Sequence, residues 1–298
     1  MKLFTRYPLL FLFILSYINI AQAQKSDRFE ISYDRGYQQE NFNWSIAGNS
    51  DGQNPNVYSE LKWQKLKGTL NSGNLSVRIW KQLGLSAGYS KTTITGGKVN
   101  DTDYGSDNRS NPVYNQNFED NSGYTDSWYG ALNYSIVAAY SFKVIPGVGY
   151  GRNRQSLNIS DITGQFPYLN STYANNWSGP FLNVKAVYFF IPDLSFKLNL
   201  SYNQVDYHAQ ANWNLISQFR HPVSFTDYAK GYGLTSDAEI AYTVIKHLKV
   251  HISGGYYYWE TGKGNDNLYL ATGETDVTQF NGAYRKGYRI TGGVNFYF

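Results

Sequence analysis

The end of the chain constrains the fold more than any other stretch. From Ala283 to Phe298, Tyr284, Tyr288, Ile290, Val294, Phe296 and Phe298 share one face, while Arg285, Arg289, Thr291, Gly293 and Asn295 share the other. A period of two belongs to a β-strand. One apolar, aromatic-rich face and one polar face suit a wall between lipid and a hydrated lumen. The closing strand of a soluble sandwich also alternates, but here the pattern recurs with the same polarity along the whole chain.

Residues 1–23 read as an export signal, with Lys2 and Arg6 at the charged start, Leu9 to Ile20 as the apolar stretch and Ala21-Gln22-Ala23 as the cleavage site. The expected mature chain, 24–298, is then a single barrel domain in the outer membrane. Beyond the signal no apolar run is long enough to cross a bilayer as a helix, and the mean hydropathy is negative. A chain of this kind crosses lipid only as a closed barrel, because hydrocarbon offers no partner to backbone N–H and C=O groups. Aromatics make up 17% of residues, including 28 Tyr, which supplies interfacial girdles. With no Cys in the chain, disulfides and thiolate chemistry are excluded. A net charge of +4 is too small to point to nucleic acid.

The expected fold is all-β, a transmembrane antiparallel barrel of about ten strands near 28–46, 57–80, 83–96, 126–142, 145–158, 179–190, 194–208, 223–245, 248–262 and 283–298. Short joints at Lys81-Gln82, Lys143-Val144, Pro192-Asp193 and Lys246-His247 alternate with long ones near 47–56, 97–125, 159–178, 209–222 and 263–282. Tight turns belong to the periplasmic side and long loops to the outside. Leu182, Val184, Ala186, Tyr188 and Phe190 form one outward set. Charged residues such as Glu60, Lys62, Lys185, Lys197, Glu239 and Arg289 are expected inside, where water or a partner can meet them. At about 3.3 Å per residue several strands outrun the bilayer, so the barrel projects beyond it.

Four His are present: His208, His221, His247 and His251. His247 in a turn and His251 near the same end read as structural, which leaves His208 and His221 at the outer end. No serine elbow, zinc-helix motif, phosphate loop or Cys cluster occurs, so neither a metal nor a cofactor is expected. Two acidic clusters stand out in the long loops, Asp101-Thr-Asp103 and Asp206-Tyr-His208. A carboxylate beside an imidazole raises its basicity, so the pair can activate water, while paired carboxylates share a proton.

Several motifs resemble the omptin family of outer-membrane proteases: Ser59-Glu-Leu-Lys-Trp63, Thr95-Gly-Gly97 followed by Asn100-Asp-Thr-Asp-Tyr104, Tyr150-Gly-Arg-Asn-Arg154, Gly179-Pro180 and the last strand. The resemblance implies a ten-stranded barrel that cleaves exposed peptides at an extracellular rim, with Asp101 and Asp103 facing Asp206 and His208. The family's Asp-Glu-His lies further past the strand, at a place that Ala211-Asn-Trp213 fills here. By strand parity Asp206 and His208 continue the outward face of Leu198, Leu200 and Tyr202, so a bulge is needed to turn them inward. His221, with Asp227, is the competing imidazole. The dyad is thus displaced, or missing from a silent barrel that serves adhesion or envelope integrity; a small passive pore is the third alternative.

Tyr150, Arg152 and Arg154 lie on the outward face at the upper end of their strand, where arginines can fork onto lipid phosphates. The family binds lipopolysaccharide through a similar run, in which an acid stands where this chain has Arg152. The expected partners are outer-membrane lipid, lipopolysaccharide included, and a peptide or protein substrate.

Overall fold

A computed structural model of the chain describes residues 28–298; the expected export signal lies outside the described residues. Twelve antiparallel strands follow one another: β1 (Phe29–Ile46), β2 (Ser59–Trp80), β3 (Leu83–Ser106), β4 (Ser110–Glu119), β5 (Gly123–Tyr134), β6 (Ile136–Ala139), β7 (Phe142–Ile159), β8 (Ser171–Ile191), β9 (Leu194–Asn212), β10 (Phe225–Ile245), β11 (Leu248–Tyr269) and β12 (Thr275–Tyr297). β1 pairs with both β2 and β12, so the sheet closes on itself. β6 prolongs β5 along β7, and β4 continues the sheet above β5 by pairing with the outer half of β3. The circumference therefore holds ten strand positions. Closure leaves the ring of ten without an edge, which is the condition for a sheet to sit in hydrocarbon, while β4, paired along its length with β3 alone, stands above it.

The outward faces are those read from the alternation. Leu182, Val184, Tyr188 and Phe190 on β8 and Tyr284, Tyr288, Ile290 and Phe296 on β12 are exposed, whereas Arg285, Thr291 and Asn295 are buried inside. This apolar band rises from the short turns at 81–82, 140–141, 192–193 and 246–247 to an aromatic girdle that includes Tyr89, Trp128, Tyr150 and Tyr202.

Above the girdle the polarity of the wall inverts. On β9, Leu200 and Tyr202 face lipid, but higher up the buried residues are Val205, Tyr207, Ala209 and Ala211, and the outward ones are Gln204, Asp206, His208 and Gln210. The outside is now water, so apolar side chains retreat to the interior. There Phe42, Trp44, Trp63, Tyr173, Trp177 and Tyr207 join a core of fully buried side chains.

Several expectations fail for local reasons: the short joint expected at Lys143-Val144 lies at 140–141, and the expected long loop 263–282 is mostly strand, with β11 running to Tyr269 and β12 starting at Thr275. Glu60 and Lys62 point outward, because the β1–β2 register shifts between Glu40 and Phe42, opposite Lys65 at φ 52°. That bulge flips parity, and it is Leu61 and Trp63 that turn inward. The supposed long loop 97–125 is instead a hairpin of β3 and β4, turned at 107–109. The joint from β4 into β5 runs through Gly123 at φ 95°, where a Cβ would lie 2.2 Å from the Ser156 carbonyl oxygen.

Candidate functional site

β3 carries the first acid pair. The β2–β3 register shifts around Lys67 and Gly96, after which Val99, Asp101 and Asp103 take the inner face, opposite Leu61 and Ser59 of β2. Tyr114 of β4 stands across from Asp103. Burial, with the Asp103 carboxylate beside it, pushes the Asp101 carboxyl up to about 8. Asp103 is raised by burial, against a hydrogen bond from Ser59. The Tyr114 phenol, half-buried and next to both acids, is pushed up to about 12. Two carboxylates close together on a partly dry wall can hold one proton between them.

The second pair is not brought to them. The β9–β10 register runs unbroken from Leu194 to Ala211, so no bulge rotates Asp206 and His208, and both stay on the outer wall. His208 lies against the Tyr228 ring at 4.6 Å between centroids, and burial lowers its pKa. The inner positions of β9 at this height are Ala209 and Ala211, which carry no chemistry. His221, expected inside beside Asp227, is exposed in the connection after β9; its Nδ1 meets the Asn212 side-chain oxygen at 2.7 Å and its Nε2 the Ile216 carbonyl at 3.2 Å. His247 bonds the Tyr297 carbonyl and His251 the Asp34 carboxylate. Among the described residues, then, none of the four imidazoles joins Asp101 and Asp103.

Sequence reasoning missed what occupies the space between. Side chains from opposite walls meet there: Trp44 of β1 and Trp63 of β2 reach Tyr173 of β8 at 5.5 and 5.6 Å, and Trp44 reaches Phe225 of β10 at 5.7 Å. Trp177 touches Tyr207 and Trp259, and Tyr207 stacks on Phe280. The signal for this plate was present in the inward register of the upper strand halves, which turns from polar to aromatic. Each such ring buries on the order of 150–250 Å².

Beneath the plate Glu40 of β1 is the centre of a second cluster that spans the lumen. It accepts from Arg285 Nη2 at 2.7 Å, Tyr257 Oη at 2.6 Å and Gln155 Nε2 at 2.7 Å, thereby linking β1, β12, β11 and β7. Beside the plate Asp227 and Asp266 are direct cross-strand neighbours. Tyr173 donates to Asp227 at 2.6 Å and contacts Tyr207 Oη at 2.7 Å. Burial raises both acids, Asp266 to about 6, and the proximity of Asp266 raises Asp227 further. Asp120 at the β4–β5 joint accepts the Asn158 amide at 3.0 Å, and burial pushes it up to about 7.

On the outer wall Tyr150 pairs with Trp128 in the girdle, with Arg152 and Arg154 above them. Arg154 is held by Asp126 at 2.6 Å and Arg152 by Asn176. Arg154 and Lys91 both lie over the Tyr124 ring, at 5.0 and 4.6 Å.

A family model described as Pom, Protochlamydia outer membrane protein, matches residues 32–298. Among solved structures the chain is similar to the outer membrane protease OmpT from Escherichia coli, with a TM-score of 0.74 at 15% identity, covering 93% of this chain and 99% of that one. It is also similar to the translocator domain of the autotransporter NalP from Neisseria meningitidis, with a TM-score of 0.39 at 10% identity over 96% and 93% of the two chains. No curated protein matches. At such identities the likeness to OmpT is one of fold. The protein is an outer-membrane β-barrel.

Proposed function

The chain belongs to the Protochlamydia outer membrane protein family, and from that premise we propose that it is a closed, non-hydrolytic barrel serving envelope integrity and adhesion through its projecting rim. The observation that carries this reading is the aromatic plate joining β1 and β2 to β8 and β10 where a substrate cleft would run. A hydrolase of the omptin kind needs water held between a carboxylate pair and an imidazole, and a pore needs an open lumen. The plate's ring contacts across the interior support the absence of such a cleft, and the Glu40 cluster, linking β1 to β7 across the lumen, supports the absence of a pore.

The test is a pair of assays on the detergent-purified barrel with added lipopolysaccharide. It should leave a dibasic peptide intact and show no steady conductance in a planar bilayer. Cleavage abolished by Asp101→Ala, or a stable open channel, overturns the reading. Hydrolysis is the second reading and has one favouring observation, the inward Asp101 and Asp103 pair with its raised carboxyl. It predicts turnover that Asp101→Ala removes.

Outer-leaflet lipid is the partner that fits the outer wall. Lys91, Arg152 and Arg154 above the Trp128–Tyr150 girdle suit phosphate, and lipopolysaccharide supplies it at that height. Arg152→Ala with Lys91→Ala should weaken retention of lipopolysaccharide by the purified barrel; unchanged retention removes this partner.

A further inference from the structure

Below the Glu40 cluster the lumen runs to the end of the short turns, and the inward side chains there are charged. Water reaches its walls: the Lys197 and Arg289 side chains are 34% and 33% exposed, although both project inward. Most charges here are matched. Lys197 pairs with Glu239 at 2.8 Å, Arg289 with Asp237 at 2.7 Å and His251 with Asp34 at 2.5 Å.

Three lysines are left over. Among the described residues no carboxylate lies within 4 Å of Lys143, Lys185 or Lys249. Lys143 and Lys249 stand at the mouth, each one residue into its strand beyond a short turn. Their ammonium groups rest over aromatic rings, Lys143 5.2 Å from the centre of Phe189 and Lys249 4.6 Å from that of Tyr297. β7 and β11 are four places apart in the ring of ten, so these lysines face one another across the opening. Two acids at this end are likewise outside the ion pairs: Glu30, which accepts from the Tyr297 hydroxyl at 3.1 Å, and Asp193, exposed in the turn between β8 and β9, so the lysines outnumber them.

Surplus positive charge inside a sheath of sheet and lipid focuses its field toward the end of the short turns and favours a counter-anion there. Aromatic floors hold the ammonium groups in place without neutralising them. We propose that the periplasmic mouth of the lumen is an anion-binding site, in which Lys143 and Lys249 take a phosphate or carboxylate group presented from the periplasm and Lys185 draws it inward. The site lies on the far side of the Glu40 cluster from the rim, so it stands whether or not the rim cleaves peptides.

Calorimetric titration of the full barrel in a zwitterionic detergent at low salt, with inorganic pyrophosphate in one arm and citrate in the other, tests this. At least one probe should bind saturably, with an affinity that falls as salt is added, and the arm that binds tells phosphate from carboxylate. Lys143→Met with Lys249→Met should weaken binding tenfold or more, the double Arg variant should restore most of it, and Lys263→Met, exposed in the upper part of β11, should leave it unchanged. The proposal is overturned by non-saturable heats in both arms, by wild-type affinity in the double Met variant, or by an equal loss in Lys263→Met. Should the double Met variant fail to fold, Lys249→Met alone carries the same comparison.

Discussion

Replacing Asp227 by Asn tests how the rim is held together. Asp227 and Asp266 face each other inside the sheet, and both carboxyls are raised, Asp266 from 3.8 to about 6. A folded-state pKa above the unfolded one means that the folded rim keeps a proton the unfolded chain has released. The stability is complete below the unfolded value and is lost as pH rises through the folded one. A tenfold change in proton affinity corresponds to about 1.4 kcal/mol, so the roughly hundredfold gain at Asp266 amounts to about 3 kcal/mol, lost between pH 4 and pH 6. The more strongly raised Asp227 continues the loss above that window. Asn is a permanent stand-in for the protonated acid: its oxygen can still accept from Tyr173, and its amide can donate to Asp266.

The assay is amide hydrogen exchange of the rim segments 171–178 and 225–229 at pH 5 and pH 7.5, corrected for intrinsic rates. The wild-type rim should open more readily at pH 7.5. Asp227→Asn should flatten that dependence and exceed the wild type in opening free energy at pH 7.5, by on the order of 2 kcal/mol. A pH-independent wild-type rim, or a variant that opens more easily than wild type at pH 7.5, refutes the shared-proton account.

Arg285→Met should cost about 3–5 kcal/mol by stranding the buried Glu40 carboxylate, and Glu40→Gln with Arg285→Met should recover much of that loss, read as denaturant midpoints of barrel unfolding. Gly123→Ala should destabilise the β4–β5 joint by about 1–3 kcal/mol, since Gly123 has a positive φ and the added Cβ meets Ser156; faster exchange confined to residues 119–124 and 156–160 is the expected sign.

The membrane-facing wall was legible because a period of two in lipid has a single solution: Leu182 to Phe190 and Tyr284 to Phe296 could point only outward. The upper half was harder to read. There the outer solvent becomes water and the same alternation carries the opposite meaning, so Tyr207 and Ala209 turn inward while Asp206 and His208 face out. Parity already placed that pair on the outer wall, and the unbroken β9–β10 register keeps it there. The bulges at Lys65 and near Gly96 were invisible, since one extra residue leaves no trace in composition yet exchanges the faces of everything beyond it. It is the second bulge that turns Asp101 and Asp103 inward. β4 was hidden for another reason: Ser110 to Glu119 is largely polar, and its inward set of Tyr114, Gln116 and Phe118 sets an amide between two aromatics, which breaks the apolar alternation that marks the other strands.

Spin-label scanning of residues 284–297 in lipid vesicles addresses the wall itself, using oxygen as the apolar quencher and a nickel chelate as the aqueous one. Oxygen accessibility should peak at 288, 290, 294 and 296 and drop at 289, 291, 293 and 295, a two-residue period whose maxima lie in hydrocarbon. A scan with no such period, or one in which labels at 290 and 296 are shielded from oxygen while 289 and 295 are open to it, contradicts the barrel described here.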